Sequence, residues 1–118
     1  SGRLYENAVF IELIRRQADN PRLEIYYWRN QLKEEVDFIV MDGLKVRQLI
    51  QVCYDITDYD TKKRETRALI KASSELKCRN LLIITENKEG EEVIKTKKIR
   101  YMPMWKWILQ RRLNKKVG

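Results

Sequence analysis

Two short runs decide the fold: Glu34-Glu35-Val36-Asp37-Phe38-Ile39-Val40 and Leu49-Ile50-Gln51-Val52-Cys53-Tyr54. β-Branched and aromatic residues dominate both runs and turn residues flank them, so both are predicted to be strands. Each run holds a polar residue among apolar neighbours, Asp37 in the first and Gln51 in the second. Burying an acid without a partner is costly, so Asp37 must be paired. The runs therefore predict two neighbouring strands with a polar site between them.

The hydrophobic spacing on either side of these runs predicts the remaining elements. Apolar residues at helical spacing predict a helix over 3–17, and alternating residues predict a strand over 23–29. Asp42-Gly43 is a hairpin signal that precedes a third strand over 44–54. The pattern further along the chain predicts a helix over 62–78 capped by Asp60 or Thr61, a buried strand over 81–85, a charged loop over 86–92, an edge strand over 93–102 and a last helix over 103–111.

The resulting order of elements, α-β-β-β-α-β-β-α, predicts an α/β fold in which helices pack on a mixed α+β sheet. With 118 residues, 43% of them apolar and 36% charged, the chain suits one folded domain over 1–118. No apolar stretch approaches the length that a membrane span needs, so we expect no membrane contact. Because the chain starts almost directly in a helix, we expect it to be an excised piece of a longer protein.

The residue types that are missing exclude several kinds of site. The sequence has no histidine, which excludes Ser-His-Asp triads, histidine general bases and zinc sites of the Cys/His kind. Cys53 and Cys78 are far apart and lack metal-ligand spacing, so a reduced, cytoplasmic setting is the simplest expectation. No Gly-rich phosphate loop of the Walker type occurs, so this chain is not expected to bind ATP by itself.

The net charge of +8 is concentrated at the C-terminal end of the sequence. Residues 93–118 hold nine basic residues and no acid, whereas the preceding part of the chain is nearly neutral. Such a block fits contact with the phosphates of a nucleic acid, and it also fits a solvated final helix. The residues predicted to contact nucleic acid are Lys95, Lys97, Lys98, Arg100, Arg111 and Arg112.

Several segments together carry a family resemblance. They are Leu4–Val9, Ile25–Arg29, Glu35–Val40, Ile50–Tyr54, Thr61 with Arg64-Glu65, and Met102–Trp105. On these segments the chain resembles the PD-(D/E)XK nuclease superfamily, and more narrowly a C-terminal domain of uncharacterised function found on many archaeal and bacterial AAA+-type ATPases. The resemblance implies a restriction-endonuclease-like αβββαβ core with an extra C-terminal strand and helix. It also implies that the ATPase domain of the same chain is a partner.

The resemblance also implies a set of site residues. Active members of the superfamily bring together a helix glutamate, a strand acid and an acid-x-lysine motif, and two carboxylates hold Mg²⁺, which polarises the phosphate. Glu6 stands at the helix acid and Asp37 at the metal-binding aspartate. Gln51 stands at the third-strand acid and Cys53 at the lysine. Glu6, Asp37 and Gln51 are therefore the implied catalytic residues and the implied, weak Mg²⁺ ligands.

The departures from that motif leave the chemistry of the site open. Gln51 offers an oxygen without charge, and Cys53 lacks the reach and charge of lysine. Lys62 and Lys63, at the start of the predicted second helix, are the candidates to substitute for that lysine, and nothing in the sequence aims either of them inward. A structural role is the alternative for each position, with Glu6 bridging to Arg29 and Gln51 serving as a hydrogen-bonded core amide. Arg64 and Glu65 are expected to be surface partners.

Three functions follow as hypotheses. The first is a degenerate nuclease-fold domain that acts as a nucleic-acid-binding or regulatory module of an AAA+-type ATPase. The second is an active Mg²⁺-dependent endonuclease. The third is a protein-interaction or assembly domain, indicated by the aromatic last helix, in which Trp105 and Trp107 cannot both face inward. The oligomeric state stays open.

Overall fold

The computed structural model describes the backbone of residues 2–117 and the side chains of residues 2–111. Within this part of the chain, three helices pack on one six-stranded mixed sheet. None of these helices combines the length and the apolar character that crossing a membrane requires. In chain order the elements are α1 (Gly2–Asp19), β1 (Leu23–Arg29), β2 (Glu35–Asp42), β3 (Lys45–Val52), α2 (Tyr59–Leu76), β4 (Leu81–Thr85), β5 (Gly90–Ile94), β6 (Lys97–Pro103) and α3 (Met104–Val117).

The strands lie in the order β1-β2-β3-β4-β6-β5. β1, β2 and β3 form an antiparallel meander, and β4 pairs in parallel with both β3 and β6. All five residues of β4 are buried, as expected for a parallel strand covered on both faces. The predicted α/β class and the predicted αβββαβ order of the first six elements are therefore confirmed.

The sheet separates two apolar layers. Leu69 and Ala72 of α2 pack against one face, where Leu81 and Ile83 of β4 point. The alternate residues of β4 point to the other face, where α1 and α3 pack through their own buried residues, namely Val9, Leu13 and Trp107. Each fully buried aliphatic side chain contributes roughly 1.5–3 kcal/mol. Both layers thus fix how α1 and α2 approach the ends of β2 and β3.

The last part of the sheet differs from the prediction. The single edge strand predicted over 93–102 is a hairpin, in which β5 forms the edge and β6 lies between β4 and β5. Its turn, at Lys95 and Thr96, has positive φ angles of 49° and 68°. Positive φ angles in a two-residue hairpin turn usually occur at Asn-Gly or Asp-Gly. Because Lys95 and Thr96 occupy these positions instead, the sequence contains no signal that predicts the turn. Two strands, β5 and β6, therefore follow the αβββαβ core, whereas one was predicted.

The start of α2 also differs from the prediction. Asp58 caps the helix, with its Oδ2 accepting hydrogen bonds from the backbone nitrogen of Thr61 at 2.9 Å and from the Thr61 hydroxyl at 2.7 Å. The prediction of Asp60 or Thr61 as the cap was wrong by two or three positions. Asp58 satisfies one of the free N–H groups of the first turn, so α2 begins at Tyr59, three residues earlier than expected.

Candidate functional site

Strands β2 and β3 separate at the end where Asp37 and Gln51 lie. Their backbone pairing runs from Asp42 and Lys45 to Phe38 and Ile50 and stops there. Beyond that pair, side chains take over from the backbone ladder. The Asp37 N–H donates to Gln51 Oε1 at 2.9 Å, and the N–H of Val52 donates to Asp37 Oδ2 at 2.8 Å. We call this arrangement of Asp37 and Gln51 the β2–β3 joint.

Gln51 is the centre of the joint. Its side chain is fully buried, and its Nε2 donates to the carbonyl of Glu35 at 2.8 Å and to the carbonyl of Glu65 at 3.3 Å. With Oε1 accepting from Asp37, both ends of the amide are bonded to backbone groups. Because buried polar groups must be paired, this one side chain ties β2, β3 and α2 together.

An acidic cleft of about 430 Å³ opens beside the joint, between α1 and α2. We define this acidic cleft by its charged lining residues, which are the acids Glu6, Glu34, Glu35, Asp37 and Glu65 and the bases Lys33 and Arg64. The acids outnumber the bases, so the cleft repels a bare phosphate group. Glu6 of α1 and Asp37 of β2 thus line the same cleft, and Gln51 of β3 is bonded to Asp37 beside it.

Burial and neighbouring charges raise the pKa values of two acids of the cleft, Asp37 and Glu65. Burial raises the pKa of Asp37 to about 7, the charges of Glu6 and Glu65 add to the shift, and the hydrogen bond from Val52 opposes it. Glu6 and Asp37 line the cleft together, and the Glu6 carboxyl disfavours the charged form of Asp37. Burial also raises the pKa of Glu65, against the opposing charge of Arg64. Burial and the neighbouring carboxyl groups thus favour the protonated form of Asp37.

The donor set does not fit a Mg²⁺ site. Among the side chains that the structure describes, no three from His, Cys, Asp and Glu are grouped so as to hold a metal ion. Asp37 already accepts the N–H of Val52, and the oxygen of Gln51 already accepts the N–H of Asp37. A hard cation needs free and preferably charged oxygens, and the backbone engages two of the candidates, Oδ2 of Asp37 and Oε1 of Gln51.

The lysine of the resembled motif has no substitute at Cys53 or at either predicted lysine. Cys53 is buried, its Sγ donates to the carbonyl of Asp55 at 3.4 Å, and burial raises the pKa of the thiol to about 11. Lys62 pairs with Glu92 at 3.0 Å, away from the cleft. The ammonium of Lys63 lies 6.0 Å from the ring of Tyr59 instead. Cys53 is thus an inert, buried thiol rather than a catalytic group.

The sequence did not predict three of the cleft acids, namely Glu34, Glu35 and Glu65. Glu65 was expected on the surface beside Arg64; the two do pair at 3.7 Å, but only 18% of the Glu65 side chain is exposed. Glu65 precedes Leu69 of the buried stripe by one helical turn, and this spacing is the signal that indicates an inward position. Glu35 was not proposed as a site residue. It takes the partner expected for Glu6, because Arg29 lies 3.6 Å from Glu35.

The basic residues predicted to contact nucleic acid lie on different surfaces. Side chains alternate along β6, so Lys97 faces α2 while Lys98 and Arg100 point to the other side of the sheet. The Lys97 ammonium donates to the hydroxyls of Ser73 at 3.1 Å and Ser74 at 2.6 Å. Lys98 is 3.2 Å from Glu91. Arg100 donates to the Asn80 side chain at 3.2 Å.

The other basic residues predicted to contact nucleic acid are Lys95, Arg111 and Arg112. Arg111 of α3 lies 2.8 Å from the buried carboxylate of Glu12 and 3.0 Å from Asp19, so it joins α3 to α1. Lys95 is exposed in the β5–β6 turn. The side chain of Arg112 lies outside the described residues. Most of the described set therefore serves contacts within the fold.

Comparisons with known proteins place this geometry in context. A family model, "Domain of unknown function (DUF4143)", matches residues 1–107. Uncharacterized protein MJ1544 of Methanocaldococcus jannaschii is 42% identical over 115 residues, covering 92% of this chain but only 25% of the relative. The chain also resembles one in a complex of Thermococcus gammatolerans McrB AAA+ hexamers with bound McrC, at a TM-score of 0.58 and 15% identity, over 87% of this chain and 28% of that one. At this identity the likeness shows the fold alone.

Proposed function

We propose, from the premise that this chain belongs to the DUF4143 family, that it is a degenerate PD-(D/E)XK nuclease-fold domain serving as a regulatory or assembly module of an AAA+-type ATPase. In this proposal, residues 1–118 form one domain, the C-terminal part of a longer ATPase chain. Its principal partner is the ATPase part of that chain. We also propose a cytoplasmic location, which the two free, buried cysteines support.

The bonding of Gln51 is the observation that carries the proposal. A metal-dependent nuclease needs charged oxygens free to bind a cation at this point of the sheet. Gln51 supplies no charge, is completely buried and bonds only to backbone groups. The position that resembles a catalytic acid therefore acts as a structural bond between β2, β3 and α2.

The context of an ATPase rests on the fold. A chain of the same fold occurs in an assembly of McrB AAA+ hexamers with bound McrC. This supports a role in assembly for a chain in which Gln51 and Cys53 stand where the resembled motif has an acid and a lysine. The likeness does not extend to particular residues, because only 15% of them are identical.

An exposed aromatic residue supports a protein partner. Trp105 of α3 is 62% exposed, whereas Trp107 is 2% exposed and packs in the core. The expectation that the two side chains face different sides is confirmed. A large exposed aromatic side chain is typical of a protein interface, and here it lies on a helix next to the buried α1–α3 contact.

Nucleic-acid binding and catalysis have less support. Four of the basic side chains predicted to contact phosphate, Lys97, Lys98, Arg100 and Arg111, are engaged within the fold. The acidic cleft would repel a phosphodiester in the absence of a bound cation. A regulatory or assembly role is therefore the function that we favour over either alternative.

We expect no metal-dependent cleavage of nucleic acid. Supercoiled plasmid incubated with the protein and Mg²⁺ or Mn²⁺ should be nicked no faster than with the Asp37→Asn variant, because the donor set does not assemble a metal centre. Asp37→Asn is the matched control, since an amide oxygen can still accept the N–H of Val52. Metal-dependent nicking by the wild type that the variant abolishes would establish an active endonuclease instead.

A further inference from the structure

A second cavity lies on the outer side of α2. It has a volume of about 520 Å³ and is bounded by α2, the β1–β2 turn and the β5–β6 turn. Four basic side chains line it, and we call it the basic groove: Lys63, Arg67, Lys71 and Lys95. It is distinct from the acidic cleft, although Leu32 and Glu34 of the β1–β2 turn border both.

The positive charge of the basic groove is organised along one helix face. One row along α2 holds three basic residues at intervals of four, namely Lys63, Arg67 and Lys71. At this spacing the Cβ atoms of successive residues lie about 5–6 Å apart. Glu34 is the acid among the residues that line the groove, and it pairs with Lys71 at 2.9 Å. The groove thus keeps a net positive charge after that pair is counted.

Three aliphatic side chains also line the basic groove, and we call them its aliphatic floor: Leu32, Ile70 and Ile94. Leu32 is 72% exposed, and Ile70 and Ile94 are partly buried against the core beneath α2. Exposing these side chains to water has a free-energy cost that an apolar group in the groove would remove. A rim of cations around an aliphatic floor matches a ligand that carries both negative charge and aliphatic side chains.

We propose that the basic groove binds an acidic peptide segment of a partner protein, with aliphatic side chains on its floor and carboxylates along the row of basic residues. This rests on the proposed function in one respect, because a regulatory or assembly module needs a protein partner. A single-stranded nucleic acid fits less well. Among the side chains of residues 2–111, none that lines the groove is aromatic and able to stack on a base, and an aliphatic floor gains nothing from a phosphodiester.

Fluorescence anisotropy with a labelled peptide of alternating glutamate and leucine tests the proposal. We expect saturable binding that weakens about tenfold or more in the double variant Lys63→Glu/Arg67→Glu, because the row of charge is reversed. The matched control is Arg3→Glu/Lys45→Glu, which reverses two exposed charges elsewhere and should bind as the wild type does. Circular dichroism confirms that both double variants are folded.

Leu32→Ser separates the two classes of ligand. The change removes part of the floor at an exposed position, so it should weaken peptide binding and leave any binding of an oligothymidylate of equal charge unaltered. Peptide binding that resists the charge reversal would overturn the proposal. So would oligothymidylate binding that is tighter than peptide binding and is lost in Lys63→Glu/Arg67→Glu. The charge reversal leaves the plasmid assay unaffected, because Lys63 and Arg67 line the basic groove and are not among the residues that line the acidic cleft with Asp37.

Discussion

Replacing Gln51 by alanine is expected to lower the free energy of unfolding by about 3–5 kcal/mol. The change removes a fully buried side chain and leaves a cavity. It also leaves the N–H of Asp37 and the carbonyls of Glu35 and Glu65 without the partner that they have in the joint. Urea denaturation followed by circular dichroism measures the loss.

Gln48→Ala is the matched control for Gln51→Ala. Gln48 lies on the same strand, and its amide donates to the exposed side chain of Asn80 at 3.2 Å. We expect this substitution to cost less than about 1 kcal/mol, because water can replace an exposed hydrogen bond. Equal losses for the two glutamines would show that Gln51 has no special structural role.

Replacing Glu12 by alanine is expected to lower the free energy of unfolding by about 3–5 kcal/mol as well. Glu12 is 1% exposed on α1, and its carboxylate lies 3.1 Å from Arg16 and 2.8 Å from Arg111 of α3. Arg16 also donates to the carbonyl of Trp107 at 2.8 Å and lies over its ring. Removing Glu12 leaves these guanidinium groups close together with their shared counter-charge gone.

Glu91→Ala is the control for Glu12→Ala. Glu91 pairs with Lys98 at 3.2 Å, and both side chains are more than half exposed. An exposed pair of this kind contributes about 0–1 kcal/mol, so the control should unfold at nearly the same urea concentration as the wild type. A Glu12→Ala variant as stable as this control would mean that the α1–α3 contact does not depend on the buried carboxylate.

Much of the fold could be predicted from local patterns. The continuous apolar run of β4 indicated a strand covered on both faces, and the residue types of β2 and β3 indicated neighbouring strands. The spacing of two residues between Trp105 and Trp107 was enough to predict that they face different sides. These patterns depend only on the periods of a helix and a strand, which the order of residues carries directly.

Other features depend on contacts that the order of residues does not carry. The bonds of Gln51 go to backbone groups of β2 and α2, and any residue type supplies such groups. The β5–β6 turn uses Lys95 and Thr96 with positive φ, against their usual preference. Glu12 is a buried acid, and its partner Arg111 lies near the other end of the sequence. Each is a tertiary effect that overrides a local preference.

The most direct test asks whether the Gln51 amide is a structural bond or a cation ligand. It is a nuclear magnetic resonance measurement of the side-chain amide signals of Gln51 in the intact chain. If its hydrogens bond to Glu35 and Glu65, they should exchange slowly with solvent. They should also keep their line widths in substoichiometric Mn²⁺, while the more exposed amide of Gln48 serves as the internal reference. Fast exchange, together with selective broadening of the Gln51 signals by Mn²⁺, would instead show an open cation site at the end of β2 and β3.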